Sequence, residues 1–296
     1  MLLSADQVAA NVKGIKQDLQ RVFQSVEGPP FVLVDNLDWY WNMSVVDFLR
    51  DVGKHFRVSA MLAKDSVKSR LESDSGISFT EFSYQVLQGY DFLHLYRDQG
   101  CTVQIGGSDQ WGNITAGVDL IGRSLGRQNE VFGLTQPLLT TATGEKFGKS
   151  AGNAIWLNPA RTSPYRLYQY LFNVADADVH RFLLMFTYRT VEELVAVLEQ
   201  HRLRPEDRVA QKLLASDVTT MLHGSEGLSE ALRASEVFFG RHAVSSLSAV
   251  EVLDVFHGVP RYNLSSARFG DLPSGRLPLL DLMVVSGIVS SKGKPV

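Results

Sequence analysis

The sequence predicts an α/β fold, a doubly wound layer in its first half that gives way to an all-helical second half. Three observations predict it. A long amphipathic period near the start ends on Glu27-Gly28-Pro29-Pro30, which leads into the apolar run Phe31-Val32-Leu33-Val34. A well-marked helical period from Ser78 ends on Gly100 and leads into a second short run, Thr102-Val103-Gln104-Ile105. Short continuous apolar runs suit strands buried on both faces of a parallel sheet. Beyond Trp156 the pattern changes to helical periods separated by short polar turns.

Each element has a local signal. Ser4-Ala5-Asp6-Gln7 reads as a capping box, with Ser4 as N-cap and Gln7 reaching back. Val8, Val12, Ile15, Leu19 and Val22 then recur at helical spacing, which predicts a helix over 5–24. A second helix is expected over about Ser44–His55. Ser78-Phe79-Thr80-Glu81 is another capping box, and Gly100 supplies the C-terminal stop. In the second half, helices are expected over about 163–173, 176–186, 190–200, 205–223 and 225–236. Residues 258–275, rich in Pro, Gly, Ser and Arg, read as a linker ahead of the short apolar helix that starts at Leu277.

At 296 residues the chain is long enough for more than one domain. Its net charge of −3 advertises no polyanion partner, so any nucleic-acid contact rests on a local patch. The single cysteine, Cys101, excludes an intrachain disulfide and a cysteine-rich metal site, and is expected to be a buried, inert thiol. The seven histidines show no metal-ligand spacing, so no metal ligand is assigned. No apolar run approaches the roughly 20 residues of a membrane span, so no membrane partner is expected. Met1-Leu2-Leu3-Ser4 shows neither a signal peptide nor an Arg-rich transit pattern.

Three clusters could carry chemistry. Tyr84, Gln88 and Asp91 stand at i, i+4 and i+7, which puts a phenol, an amide and a carboxylate on one helix face. That stripe suits either a solvated face or a polar ligand docked among Phe82, Val86, Leu87 and Tyr90. Gly106-Gly107-Ser108-Asp109 follows a predicted parallel strand, where open α/β sheets bind ligands. Its glycines admit a ligand close to the backbone and Asp109 can accept from ribose hydroxyls; a tight turn with an Asp cap is the plainer reading. Lys146-Phe147-Gly148-Lys149-Ser150 places two lysines around a glycine, a charge pattern suited to phosphates or to a solvated turn. It is not a P-loop, because Thr143 stands where the Walker spacing demands glycine and Ala151–Trp156 does not read as a helix.

Together these motifs closely resemble the tyrosyl-tRNA synthetases of bacterial and mitochondrial type, which are class I aminoacyl-tRNA synthetases. The resemblance extends over Asn36–Tyr40, Asp47–Phe56, Gly76–Phe82, Gly106–Asn113, Lys146–Ser150 and Thr162–Tyr165. The run Ser150–Asn158 is more similar to the mitochondrial enzymes. The resemblance implies a partial Rossmann-type catalytic domain over 1–156 with a dimer-forming insertion at about 40–100. It implies a helical anticodon-binding domain over 157–257, and over 258–296 a linker with the start of an S4-like RNA-binding module. Tyr84, Gln88, Asp91 and Gln110 would bind tyrosine, with Asp91 accepting from the phenol. Gly107 and Asp109 would hold ATP, together with Lys149, while Lys146, Lys149 and Ser150 would act on the pyrophosphate. The implied partners are tyrosine, ATP with Mg2+, tRNA-Tyr and a second copy of the chain, in the mitochondrial matrix, or in the cytoplasm for a bacterial source. The family's His-x-Gly-His signature is matched by none of the seven histidines, and the chain is expected to be an incomplete synthetase.

Overall fold

A computed structural model describes residues 3–24, 30–74, 76–126, 130–144, 147–150, 153–257, 259 and 278–291. The linker expected at 258–275 lies outside these residues except for Val259.

Helix α1 spans Ala5–Gln24, with the predicted bounds. Only half of the expected capping box forms: the Gln7 amide donates to Ser4 Oγ at 3.3 Å, but the Gln7 side chain turns forward to Asn11. The run 31–34 is not a strand, and this corrects the sequence reading. It has no ladder partner among the described residues, and Val32 is 76% exposed. Apolar composition alone does not make a strand, because its backbone groups still need a neighbour to bond.

A series of short helices follows: α2 (Leu37–Tyr40), α3 (Val45–Asp51), α4 (Val58–Leu62) and α5 (Asp65–Leu71). The helix expected to reach His55 stops at Asp51, and Gly53–His55 form a separate 3₁₀ turn. Helix α6 (Phe79–Gln99) starts on Ser78, whose Oγ accepts from the Glu81 amide, and stops on Gly100 in the left-handed region at φ +66°. The Glu81 carboxylate pairs with Arg70 at 2.8 Å instead of closing its capping box.

Strand β1 (Val103–Gly107), helix α7 (Trp111–Leu125) and strand β2 (Phe132–Gln136) form a βαβ unit whose strands pair in parallel, Val103 opposite Phe132 and Gly107 opposite Gln136. Phe92, Leu93, Leu120, Ile121, Val52 and Val131 close the core between α6, α7 and their neighbours. Gly106 and Gly133 face Ile114 of α7, so Val103, Ile105, Phe132 and Leu134 point the other way and are exposed. Cys101 is partly buried, not fully, and its thiol lies 3.4 Å from the Val103 carbonyl.

After the small antiparallel pair β3 (Lys149–Ser150) and β4 (Asn153–Ala154), the second half is a helical bundle. It comprises α8 (Pro164–Phe172), α9 (Asp176–Phe186), α10 (Val191–Leu203), α11 (Val209–Phe238) and α12 (Ala249–Val255). Leu167, Leu171, Phe182, Leu183, Leu214 and Val218 are among its buried core. The two helices expected at 205–223 and 225–236 run on as α11, broken at Gly224 by φ +71° and ψ −179°. Pro205–Asp207 form a 3₁₀ turn, which delays the start of α11 to Val209. A last helix, α13 (Leu279–Val285), falls in the expected apolar run.

Candidate active site

The site is built where α6 passes the carboxyl end of β1. Asp91, partly buried on α6, is held from both sides: the Trp39 indole N–H donates to Oδ1 at 2.9 Å and the Asn36 amide donates to Oδ2 at 3.4 Å. The neighbouring Tyr40 hydroxyl donates to the Leu87 carbonyl at 2.8 Å. Burial pushes the Tyr40 phenol well above its ordinary range, and the negative charge of Asp91 adds to the rise. A phenol that stays neutral beside a carboxylate leaves Asp91 as the acceptor of this corner. In the sequence, Asn36, Trp39 and Tyr40 stand out only as part of a resembling run. Their role depends on contacts 47 to 55 residues apart, which no local pattern reports.

A line of side chains connects the helix stripe to the glycine turn. The Asn113 amide donates to Gln88 Oε1 at 3.1 Å and approaches Gln110 Oε1 at 3.5 Å. Gln110 in turn donates to Asp109 Oδ2 at 3.1 Å. Gln88 of the helix stripe is thus brought together with Gln110 and Asp109 of the glycine run, with Asn113 as the joint that sequence reasoning missed. Tyr84 lies on the same face of α6 and is 54% exposed. Gly107 and Asp109 approach closely: a Cβ at 107 would sit 2.6 Å from Asp109 Oδ1. The exposed Asp109 carboxylate folds back beside Gly107 while its Oδ2 accepts from Gln110.

Beside Asp91 opens a cavity of about 380 Å³, walled by α1, residues 33–36, Trp39 and Gln104. Gln104 Oε1 is buried there without a hydrogen-bond partner, an acceptor that a ligand donor could satisfy. A larger cavity, about 950 Å³, lies at the helical bundle beside Phe147 and Tyr170, away from Asp91. Lys146 lies outside the described residues, as do the side chains of Lys149 and Ser150. Their backbone follows Gly148, which takes φ +81° and so opens the β3–β4 pair where a helix would follow a P-loop.

The sequence profile described as tRNA synthetases class I (W and Y) matches residues 1–240. The tyrosine–tRNA ligase of Roseiflexus castenholzii is 48% identical over 292 residues, 98% of this chain and 68% of that protein. The chain belongs to the tyrosine–tRNA ligase family. Within it, the enzyme of Streptococcus pneumoniae strain Hungary19A-6 is 45% identical over the same length and is covered to 67%. The chain thus spans about two thirds of these curated family members. Two solved structures share the fold, both C-terminally truncated mitochondrial tyrosyl-tRNA synthetases. That of Coccidioides posadasii matches at a TM-score of 0.68 and 35% identity, covering 78% of this chain and 68% of its own. That of Aspergillus nidulans matches at 0.68 and 30%, covering 80% and 70%. Family and fold agree with the α/β reading, a small parallel sheet followed by a helical bundle.

Proposed function

We propose that this chain serves the ATP-dependent attachment of tyrosine to tRNA-Tyr, with Asp91 as the group that selects tyrosine. The observation that carries the reading is the Asp91 carboxylate, oriented by Trp39 and Asn36 and joined by shared helix face to Gln88 and its line to Asp109. The substrate phenol would donate to Asp91. Phenylalanine, with no donor, would leave a desolvated carboxylate short of a partner, which is costly. Tyr84 and Gln88 would face the ammonium, Gln110 the carboxylate end, and Gly107 and Asp109 the adenosine. Lys146, Lys149 and Ser150 would close over the pyrophosphate, the two lysines bringing positive charge, as the tyrosine carboxylate attacks the α-phosphate. Such a step depends on in-line positioning and charge stabilisation, with no protein nucleophile. Mg2+ would accompany the ATP phosphates.

The same reading places a catalytic domain over 1–156, an anticodon-binding function in the helices of 157–257 and the start of an S4-like module in 258–296. It places a homodimer contact in the insertion at 40–100, where Trp41, Val45, Val46, Leu49 and Phe79 are exposed. The mitochondrial matrix is the proposed compartment, supported by the two fungal mitochondrial neighbours; the bacterial relatives support the cytoplasm as the alternative for a bacterial source.

No His-x-Gly-His pattern occurs in the 296 residues, so recognition is assigned to this chain and full activation to a chain that also carries that pattern. Calorimetry should show tyrosine bound in preference to phenylalanine, a preference abolished by Asp91→Ala; equal binding of the two amino acids would overturn the reading. ATP–pyrophosphate exchange by these residues alone is expected at background. Fusing a His-x-Gly-His-bearing segment of a family member ahead of Met1 should produce exchange. A fused chain that shifts tRNA-Tyr in gels yet never exchanges would favour the second reading, a noncatalytic tRNA-binding or dimerising protein on the same scaffold.

A further inference from the structure

The residues on either side of 145–146 are fastened to the helical bundle, not to the βαβ unit. Phe147 is enclosed by three aromatic rings of α8 and α9. Its centroid lies 4.5 Å from Phe182 and 5.4 Å from Tyr170, both edge-on, and 5.4 Å from Phe186 in a stack. Contacts of this kind add to simple apolar burial and fix ring orientation. The next residue is tied by its backbone: the Gly148 N–H donates to the Tyr170 hydroxyl at 2.9 Å. On the other flank the Ala142 N–H donates to Asp178 Oδ2 at 3.1 Å. Asp178 is buried and is itself paired with Arg181 at 3.1 Å, while Arg181 also donates to the Thr140 carbonyl. Phe147 closes the segment on itself by donating to the Leu139 carbonyl at 3.2 Å.

A solvated charged turn requires none of this. Two backbone amides on opposite flanks each find a bundle side chain, and the one aromatic residue between the two lysines is spent on the bundle core. We propose that Phe147, Tyr170 and Asp178 form an anchor by which the helical bundle sets the position of the Phe147–Ser150 backbone. In this arrangement the bundle, which the function proposed above assigns to tRNA, is also the platform from which the Lys149 backbone approaches the phosphates. Phe147, Tyr170 and Asp178 are positioning residues: none touches a reacting atom. The consequence for catalysis rests on the synthetase reading, but the anchor itself does not.

Amide hydrogen exchange on the full 296-residue chain tests it without catalysis. Tyr170→Phe keeps the ring and removes only the hydroxyl, so exchange at Gly148 should rise at least about tenfold while Ala142 keeps its protection. Phe147→Ala should raise exchange at both Ala142 and Gly148 by a similar factor, and Phe147→Leu, which keeps apolar bulk, should restore most of the protection at Ala142. Amides of Leu214 and Val218 in α11 should stay unchanged throughout, showing an intact bundle. Unchanged exchange at Gly148 in Tyr170→Phe would overturn the anchor, and this variant decides the matter if Phe147→Ala loosens α11 as well. Equal binding of tyrosine and phenylalanine by the unaltered chain would count against the synthetase reading and leave this exchange pattern standing.

Discussion

At the scale of single residues, the site depends on how one carboxylate is held. Trp39 supplies the shorter of the two hydrogen bonds to Asp91 and also stacks on His94 with ring centroids 4.4 Å apart. A hydrogen bond to a charged group is worth about 1.5–3 kcal/mol. Trp39→Phe, which keeps the stack and removes the indole donor, should therefore weaken tyrosine binding about tenfold or more in calorimetry. Phenylalanine binding should change little, so the preference narrows. Tyr40 gives a second prediction, with a definite sign. Its folded pKa is raised above the ordinary value near 10, so the fold favours the neutral phenol. That contribution is complete below pH 10 and is lost as pH climbs above it, because the unfolded chain ionises first. Urea titrations from pH 8 to 11 should show stability falling above about pH 10, and Tyr40→Phe should flatten that fall. In the sequence, Gln88 and Asp91 stand out by helical spacing and Asp109 by the glycine run, whereas Gln110 is singled out only through the family resemblance. Asn36, Trp39, Tyr40 and Asn113 gained roles only from contacts between elements, which spacing within one element does not encode.

At the scale of elements, caps and glycines mark helix ends better than apolar runs mark strands. Ser44, Ser78, Ser163, Thr190 and Ser248 all cap helices with their hydroxyl oxygens. The capping boxes of Thr190 and Ser248 close in both directions, unlike those of Ser4 and Ser78. A hydroxyl needs only the next turn of its own chain, so the local sequence suffices to announce it. Strands need a partner chosen by the whole fold. Hence Phe31–Val34 carried the composition without the pairing, while Phe132–Gln136, with a glycine and two polar residues, paired without advertising it. The break in α11 is a case where a local signal was read correctly. Gly224 occupies φ +71° with ψ −179°, a region open almost only to glycine. Gly224→Ala should destabilise the bundle by about 1–3 kcal/mol, read as a lower urea midpoint with unchanged slope.

At the scale of the whole molecule, two separate cores, one around Phe92 and Leu120 and one around Phe182 and Leu214, hold the two kinds of architecture. The exposed apolar side chains of α3 and its neighbours give the proposed homodimer a measurable form. Sedimentation of the chain should show a dimer, and Val46→Glu combined with Leu49→Lys should shift it to monomer with unaltered helix content. An unchanged dimer in the double variant would move the contact elsewhere on the surface.

The sheet itself carries a thermal consequence. Its two strands turn Val103, Ile105, Phe132 and Leu134 away from α7, a continuous oily strip one residue pair wide and two pairs long. Attraction between such strips is driven near room temperature by released water, and it weakens as the solution is chilled. Concentrated chain should therefore scatter less light on cooling and more on warming, reversibly over a modest range. Ile105→Lys, which places a charge in the middle of the strip, should leave the scattering nearly independent of temperature.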